Sequence, residues 1–592
     1  MNKFYPSKIF PALLILTLFL IAVFIACKKS DSNNNGIPAS PPDLVTKISS
    51  SVSGFITDEN DQPVLNASVQ FGSAVITTDK YGYFEAKNID VIKDAATVTV
   101  NRTGYFKTVK TYIATAGKSA FFRIKLIPKT ITGTVSGNAG GTVTLSNGLS
   151  ITLPANGIVT AATNAGYTGT VNIAAYWINP ATIDLPQIMP GDLRGINTAG
   201  NVQLLTTYGM AAVELTGSGG ELLQVAANKK ATLVVPIPTA IASTAPASIP
   251  LWYFDEAKGL WKQEGAATKT GNNYTGEVTH FSFWNYDIPQ SLVQLNATIV
   301  NNSNQPIPNA VVKISVVGNG ANYRYGYTDV SGYVSGPVPA NTALLFEVFS
   351  SFNCSTLLYT QNISATNANI SLGTVTVTNG ANLATITGNV VNCSNAAVTN
   401  GYLMFAEGNQ YTRLNLDNTG NYSGVVLVCN TGNSATLIAE DLTSQMTSSP
   451  VVRNIGPGNN SMPPIQVCGT AQQEFVNIAK NGIPQAYHYL LLTQGTPTSY
   501  GIIFFADPTR TIPGGHLQVS QTGIAMGSTQ ILESISAGSS NMVISNPPVN
   551  ISITEYGAVG QYMAGNFSGN FTQPPSNTSY AITCSFRIKR TF

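Results

Sequence analysis

The side chains able to do acid–base or metal chemistry are few and far apart. His280, His488 and His516 are the only histidines of the chain, and none is followed by a glutamate at the spacing of an HExxH or HxxE zinc motif. Neither a GxSxG nucleophile elbow nor a phosphate-cradling glycine loop occurs, so no constellation identifies a reaction and a hydrolase with an unrecognised site is only a remote alternative. The chain reads as a non-enzyme that requires no cofactor and no metal. Two groups remain that could hold a ligand. Trp252, Tyr253, Phe254 and Trp261 flank a turn at Asp255 to Gly259. If exposed, Trp252 and Trp261 would make a sugar-stacking platform with Asp255 or Glu256 bonding hydroxyls; if inward, they are ordinary core, with Trp252 and Phe254 on one side of a strand. Asp58, Glu59 and Asp61 are oxygen donors that either ligate Ca²⁺ or form a solvated loop.

Composition narrows the function classes. Only 10% of the 592 residues are Asp, Glu, Lys or Arg, against roughly 25% in ordinary soluble domains. Gly, Asn, Ser and Thr take their place on the wet faces. With a net charge of +2 and no basic run among aromatics, no surface is suited to neutralising phosphates, and nucleic acid is excluded as a partner. The length exceeds what one core usually organises and suggests roughly four domains.

The N-terminus carries an address. Lys3 and Lys8 precede an uncharged, mostly apolar run from Ile9 to Ala26, and Cys27 follows the small residue Ala26. This resembles a bacterial lipoprotein signal peptide, which implies cleavage after Ala26 and acylation of Cys27, a lipid anchor in the membrane and a place in the cell envelope, on the outer membrane and surface-exposed. The run is also long enough for an uncleaved transmembrane helix. Residues 27–50 include Asn33 to Asn35, Pro38, Pro41 and Pro42 and read as a flexible tether.

Beyond it, short runs rich in Val, Ile, Thr, Tyr and Phe are punctuated by Gly, Asn, Asp and Pro, and predict an all-β chain. A repeat runs through it. Gln62-Pro63, Asn66-Ala67, Thr78-Asp79 and Gly82-Tyr83 return as Gln305-Pro306, Asn309-Ala310, Thr328-Asp329 and Gly332-Tyr333, and more faintly around Gly388, Asn400-Gly401, Asp417, Gly420 and Tyr422. Proline there suits a strand edge, and the Asp-x-x-Gly-Tyr element predicts a hairpin connection with glycine at positive φ. The pattern resembles the carboxypeptidase regulatory-like module. That resemblance implies transthyretin-like or Ig-like β-sandwiches in tandem, at 51–128, 290–380 and 381–470, used as accessory or surface modules without peptidase activity.

Between the first two copies, residues 129–289 contain alternating strands around Asn147-Gly148, a strong hairpin signal. The stretch from Gly140 to Pro154 is similar to the opening of a β-rich domain of netrin receptors and zonula occludens proteins. The region ending in Trp252 to Trp261 and His280 to Trp284 also resembles a module shared with cartilage intermediate-layer-type proteins. Residues 471–592 alternate apolar and polar and predict a C-terminal sandwich.

Five cysteines follow Cys27. At least one disulfide is expected among Cys354, Cys393, Cys429 and Cys468, with Cys393 to Cys429 favoured because both lie in one module. The functional expectation is a non-catalytic envelope lipoprotein that binds or displays a glycan or protein ligand. The alternative is a structural or accessory subunit of an envelope complex for nutrient capture or attachment.

Overall fold

The computed structural model describes residues 41–350, 356–378, 382–408, 410–429, 434–444 and 446–468, and beyond these the strands between 475 and 589 with short flanking stretches. Ile9 to Ala26, Cys27, Cys354 and His488 lie outside the described residues. No helix among the described residues is long and apolar enough to cross a membrane.

Each copy of the repeat folds into the same two-sheet sandwich. In the first, the strand Lys47–Thr57 sits between Tyr83–Ile92, antiparallel to it, and Ser119–Lys125, parallel to it. The facing sheet orders Ala74–Thr77, Ser68–Phe71, Ala96–Asn101 and Thr108–Tyr112. In the second copy Leu292–Asn301 sits between Tyr333–Pro339 and the parallel Ile370–Val377. In the third, Leu383–Asn392 sits between Asn421–Leu427 and the parallel strands Gly458–Ser461 and Ile465–Val467. Alternation builds these cores: Ala96, Val98 and Val100 point inward while Thr97 and Thr99 do not.

The repeated sequence elements are turns with the same bonds in each copy. Asp79 Oδ1 accepts the amides of Tyr81 at 2.8 Å and Tyr83 at 3.0 Å, Asp329 Oδ1 those of Ser331 and Tyr333, and Asp417 Oδ1 those of Thr419 and Asn421. The glycine of each turn, Gly82, Gly332 or Gly420, has φ between +71° and +80°. A Cβ on Gly82 would lie 2.2 Å from the Ile56 carbonyl oxygen, so only glycine lets the turn press on the neighbouring strand. The connection is not the expected hairpin. It carries the chain from one sheet to the other, since Ala74–Thr77 pairs with Ser68–Phe71 while Tyr83–Ile92 pairs with Lys47–Thr57. The positive-φ glycine lets the chain arch over the edge of the core.

The loop that carries Gln62-Pro63 is also repeated. Asp58, Asn301 and Asn392 each accept two amides of their own loop, and Pro63 and Pro306 form isolated bridges to Thr57 and Val300.

Residues 131–290 form a single thirteen-stranded sheet that coils back on itself. Thr170–Ile178 pairs with both Val202–Thr216 and Ile131–Ser136, and the latter meets the strand Gly141–Thr144 through a bridge from Ser136 to Gly140. The Asn147-Gly148 hairpin is present, with Gly148 at φ +93° and Ser150 opposite Thr144. The described strands between 475 and 589 form one ten-stranded sheet whose pairs are all antiparallel.

These units are packed against one another. Phe55, Tyr81, Tyr83 and Phe121 of the first sandwich share one apolar cluster with Val311 and Tyr327 of the second and Tyr402 and Met404 of the third. Phe106, Val109 and Ile127 of the first enter a cluster with Trp252, Phe254, Trp261 and their neighbours in the coiled sheet. The first sandwich is the hub of the assembly.

Candidate functional site

The aromatic hairpin of the coiled sheet is not a platform. Trp252 and Trp261 are both 0% exposed, and Trp252 Nε1 donates to the Asp287 carbonyl at 3.2 Å. Trp252 and Phe254 lie on the same inward side of Ser248–Asp255. The sugar-stacking expectation for Trp252 and Trp261 is therefore corrected: the first sandwich covers them, and burying such rings is worth several kcal/mol, more than an exposed platform would retain. Even the turn is occupied. Asp255 Oδ1 accepts the amides of Ala257 and Lys258, Glu256 pairs with Lys107 at 2.8 Å, and Thr111 Oγ1 of the first sandwich donates to Gly259 O at 2.6 Å.

The other sequence candidates are drawn apart. Asp61 pairs with Lys125 at 3.0 Å, Glu59 accepts from the Tyr105 hydroxyl, and Asp58 is committed to its turn, where the other repeats use uncharged Asn301 and Asn392 for the same bonds. His280 packs edge-on against Tyr253 with ring centroids 4.7 Å apart, and burial pushes its pKa down. His516 lies in a strand of the C-terminal sheet. Cys393 is bonded to Cys468, not to Cys429 as expected. Leu383–Asn392, which leads into Cys393, runs parallel to Ile465–Val467, which leads into Cys468, and this pairing brings the two cysteines side by side with Cα atoms 5.0 Å apart. Cys429 is itself disulfide-bonded, and Cys584 is a buried free thiol.

What the structure does build is a cavity of about 190 Å³ where three modules meet. One wall is the strand pair Thr108–Tyr112 and Ser119–Lys125, at the edges of the two sheets of the first sandwich. The facing wall is Asn319–Tyr327 and Tyr333–Pro339, the opposite edges of the two sheets in the second sandwich. The short helical turn Leu185–Ile188 and residues 189–193 of the coiled sheet close the third side. Two sandwich ends thus face each other across a gap that neither fills alone.

The lining is aromatic and cationic. Tyr323 and Tyr325 rings lie 5.1 Å apart, and Lys118 sits 5.1 Å over the Tyr333 ring at the exposed rim. Lys110 is 2% exposed, with Nζ donating to the carbonyls of Pro186 at 2.9 Å and Met189 at 2.5 Å, and burial pushes its pKa down to about 7. Arg324 donates Nη2 to Leu205 O at 2.6 Å; burial lowers it to about 10 against the pull of Asp192 and Asp287. Arg123 stacks against the rings of Phe55, Phe121 and Tyr327, and burial lowers it too. Asp192, the carboxylate of the lining, is taken by Arg194 Nε at 2.7 Å.

The sequence reading missed all of these residues. Lys110 and Arg123 look like outward positions of short strands, and only docking of the neighbours buries them. A signal did exist at the third: the run Tyr323-Arg324-Tyr325-Gly326-Tyr327 places an arginine among three tyrosines on one edge strand, an aromatic and cationic pattern common in recognition surfaces.

No family model matches the chain. Cartilage intermediate layer protein 2 of Mus musculus is 32% identical over 106 residues, which are 18% of this chain and 9% of that protein. The chain thus spans only a small part of that protein's length. Among solved structures, the shaft pilin SpaA of Lactobacillus rhamnosus GG matches 31% of this chain and 99% of its own at 9% identity, with a TM-score of 0.18. A streptococcal ancillary pilin matches 38% of this chain and 95% of its own at 11% identity and a TM-score of 0.13. The Bacillus anthracis TIE protein matches 75% of this chain and 69% of its own at 9% identity and a TM-score of 0.14. No functional conclusion follows from scores this low, and the all-β assignment rests on the sheets described above.

Proposed function

We propose that this protein is a non-catalytic lipoprotein of the cell envelope, acylated at Cys27 and exposed on the outer membrane, whose packed modules recognise a glycan. The observation that carries the recognition half is the cavity between the first and second sandwiches. Ligand sites are concave, ring-lined and preferentially placed between domains, and this one has all three features. Its size favours a glycan over a protein partner. An engineered cavity of roughly 150 Å³ holds one benzene molecule, so about 190 Å³ admits a single sugar ring and no folded surface. The anchoring half rests on the Ala26-Cys27 junction and the apolar run before it. Two or more acyl chains would hold the protein on its membrane.

The test for recognition is a polysaccharide and protein array probed with the full chain in detergent. Saturable binding to a glycan subset supports the reading. Binding confined to protein spots overturns the glycan assignment, and an array without any binder overturns recognition. For anchoring, Cys27→Ser should abolish incorporation of labelled fatty acid and leave unprocessed precursor, and normal labelling in the variant refutes acylation there.

A further inference from the structure

We propose that the inter-module cavity selects a six-membered ring bearing a negative charge, a sugar acid rather than a neutral sugar, through Lys110 and Lys118. The inference rests on the glycan reading above and adds the charge of the ligand. It comes from charge accounting in the lining. Neither Arg123, stacked on three aromatic rings, nor Arg324, whose Nη2 donates to Leu205 O, has a carboxylate within 4 Å among the described residues. Asp192 is held by Arg194. Lys110 remains. Its ammonium has three donors and two carbonyl acceptors, and no carboxylate among the described residues lies within 4 Å of it.

A buried ammonium without a counter-charge is costly and shifts towards its neutral form, and a bound anion supplies the missing charge. A carboxylate does so with one charge. Gln294 adds a neutral donor: its Nε2 is buried, lines the same cavity and has no partner. The aromatic lining, Tyr112 and Tyr323 within it, suits the C–H surface of a pyranose, and the volume admits one ring with its substituents. The ligand is therefore a terminal or single uronate-type residue, its carboxylate on Lys110 and its ring against the aromatic lining.

The experiment is titration calorimetry on the full chain in detergent with glucuronate, galacturonate, glucose and benzoate. At least one uronate should bind and glucose should not. Lys110→Met should weaken uronate binding about tenfold or more, the ordinary effect of losing one charge-assisted bond. Because Lys110 is interior, Lys118→Glu is measured beside it; that residue is exposed, so the variant tests the cavity charge without risk to the fold, and it should weaken the uronate as well. Equal affinity for glucose and glucuronate, or uronate binding unchanged in both variants, overturns the charge assignment while leaving glycan recognition standing. Benzoate binding without either uronate upholds the anionic site and sinks the glycan reading. If no anion binds, the inference is wrong.

Discussion

The Tyr402 hydroxyl of the third sandwich donates to Asp79 Oδ2 of the first at 3.0 Å, across 323 residues of sequence, while the other oxygen of the same carboxylate holds its own turn. The second repeat does the same in reverse. Asp329 Oδ1 holds its turn and Oδ2 accepts from Ser119 Oγ of the first sandwich at 2.5 Å. The turn aspartate that makes each module fold thus also docks it, and Asp417 in the third repeat, exposed to solvent, performs only the first task.

That division of labour predicts unequal costs. Asp79→Ala deletes two turn bonds and one inter-module bond in a shielded setting, and should destabilise the protein by about 3 kcal/mol. Asp417→Ala deletes the same two turn bonds in water and should cost markedly less. Chemical denaturation of the two variants side by side checks this, and equal losses would show that the inter-module bond contributes nothing.

Gly259 is the second place where one residue serves two modules. Its φ is +67°, and an added Cβ would lie 2.4 Å from Thr97 Cγ2 and 2.9 Å from Thr111 Oγ1 of the first sandwich. Gly259→Ala combines backbone strain with a collision at the docked hairpin and should cost about 2 to 4 kcal/mol. Gly271, at φ +60° with nothing within 4 Å of its Cβ position, is the control; alanine there should cost only about 1 kcal/mol. Thermal denaturation of both variants distinguishes strain from docking.

The link from Cys393 to Cys468 closes a loop of 75 residues, and on the chain-entropy account it stabilises the third sandwich by about 4 kcal/mol. Peptide mapping without reductant should recover a fragment joining these two cysteines. Cys393→Ser should lower the stability of that module by a comparable amount, and a map joining Cys393 to Cys429 would contradict the structure.

Lys110 should leave a pH signature. Unfolded, a lysine titrates near 10.4, whereas burial brings Lys110 to about 7, so between those values the unfolded chain binds a proton that the folded chain does not. Stability contributed at this position therefore rises with pH from about 7 to about 10, and below about 7 the folded state carries the full penalty of a buried charge. The difference in stability between the wild type and Lys110→Met should shift over that window and level off outside it. A difference independent of pH from 6 to about 10 would place the ammonium in water rather than at the junction.

Residue types and local spacing determined what depends only on neighbours along the chain. Alternating Val, Ile and Thr made strands because a pleated chain buries every second side chain, and Asp-x-x-Gly made turns because its bonds close within five residues. The Asn147-Gly148 hairpin was legible for the same reason. Which face of Trp252 and Trp261 meets protein, which cysteine meets Cys393, and why Lys110 is dry were not. Each depends on a surface supplied from elsewhere in the chain: Phe106 and Val109 cover the tryptophans, a parallel strand 75 residues away carries Cys468, and the carbonyls of Pro186 and Met189 cap the lysine. A strand has two faces and an edge that read alike locally, so the tertiary structure alone decides which becomes core, which becomes joint and which becomes cavity.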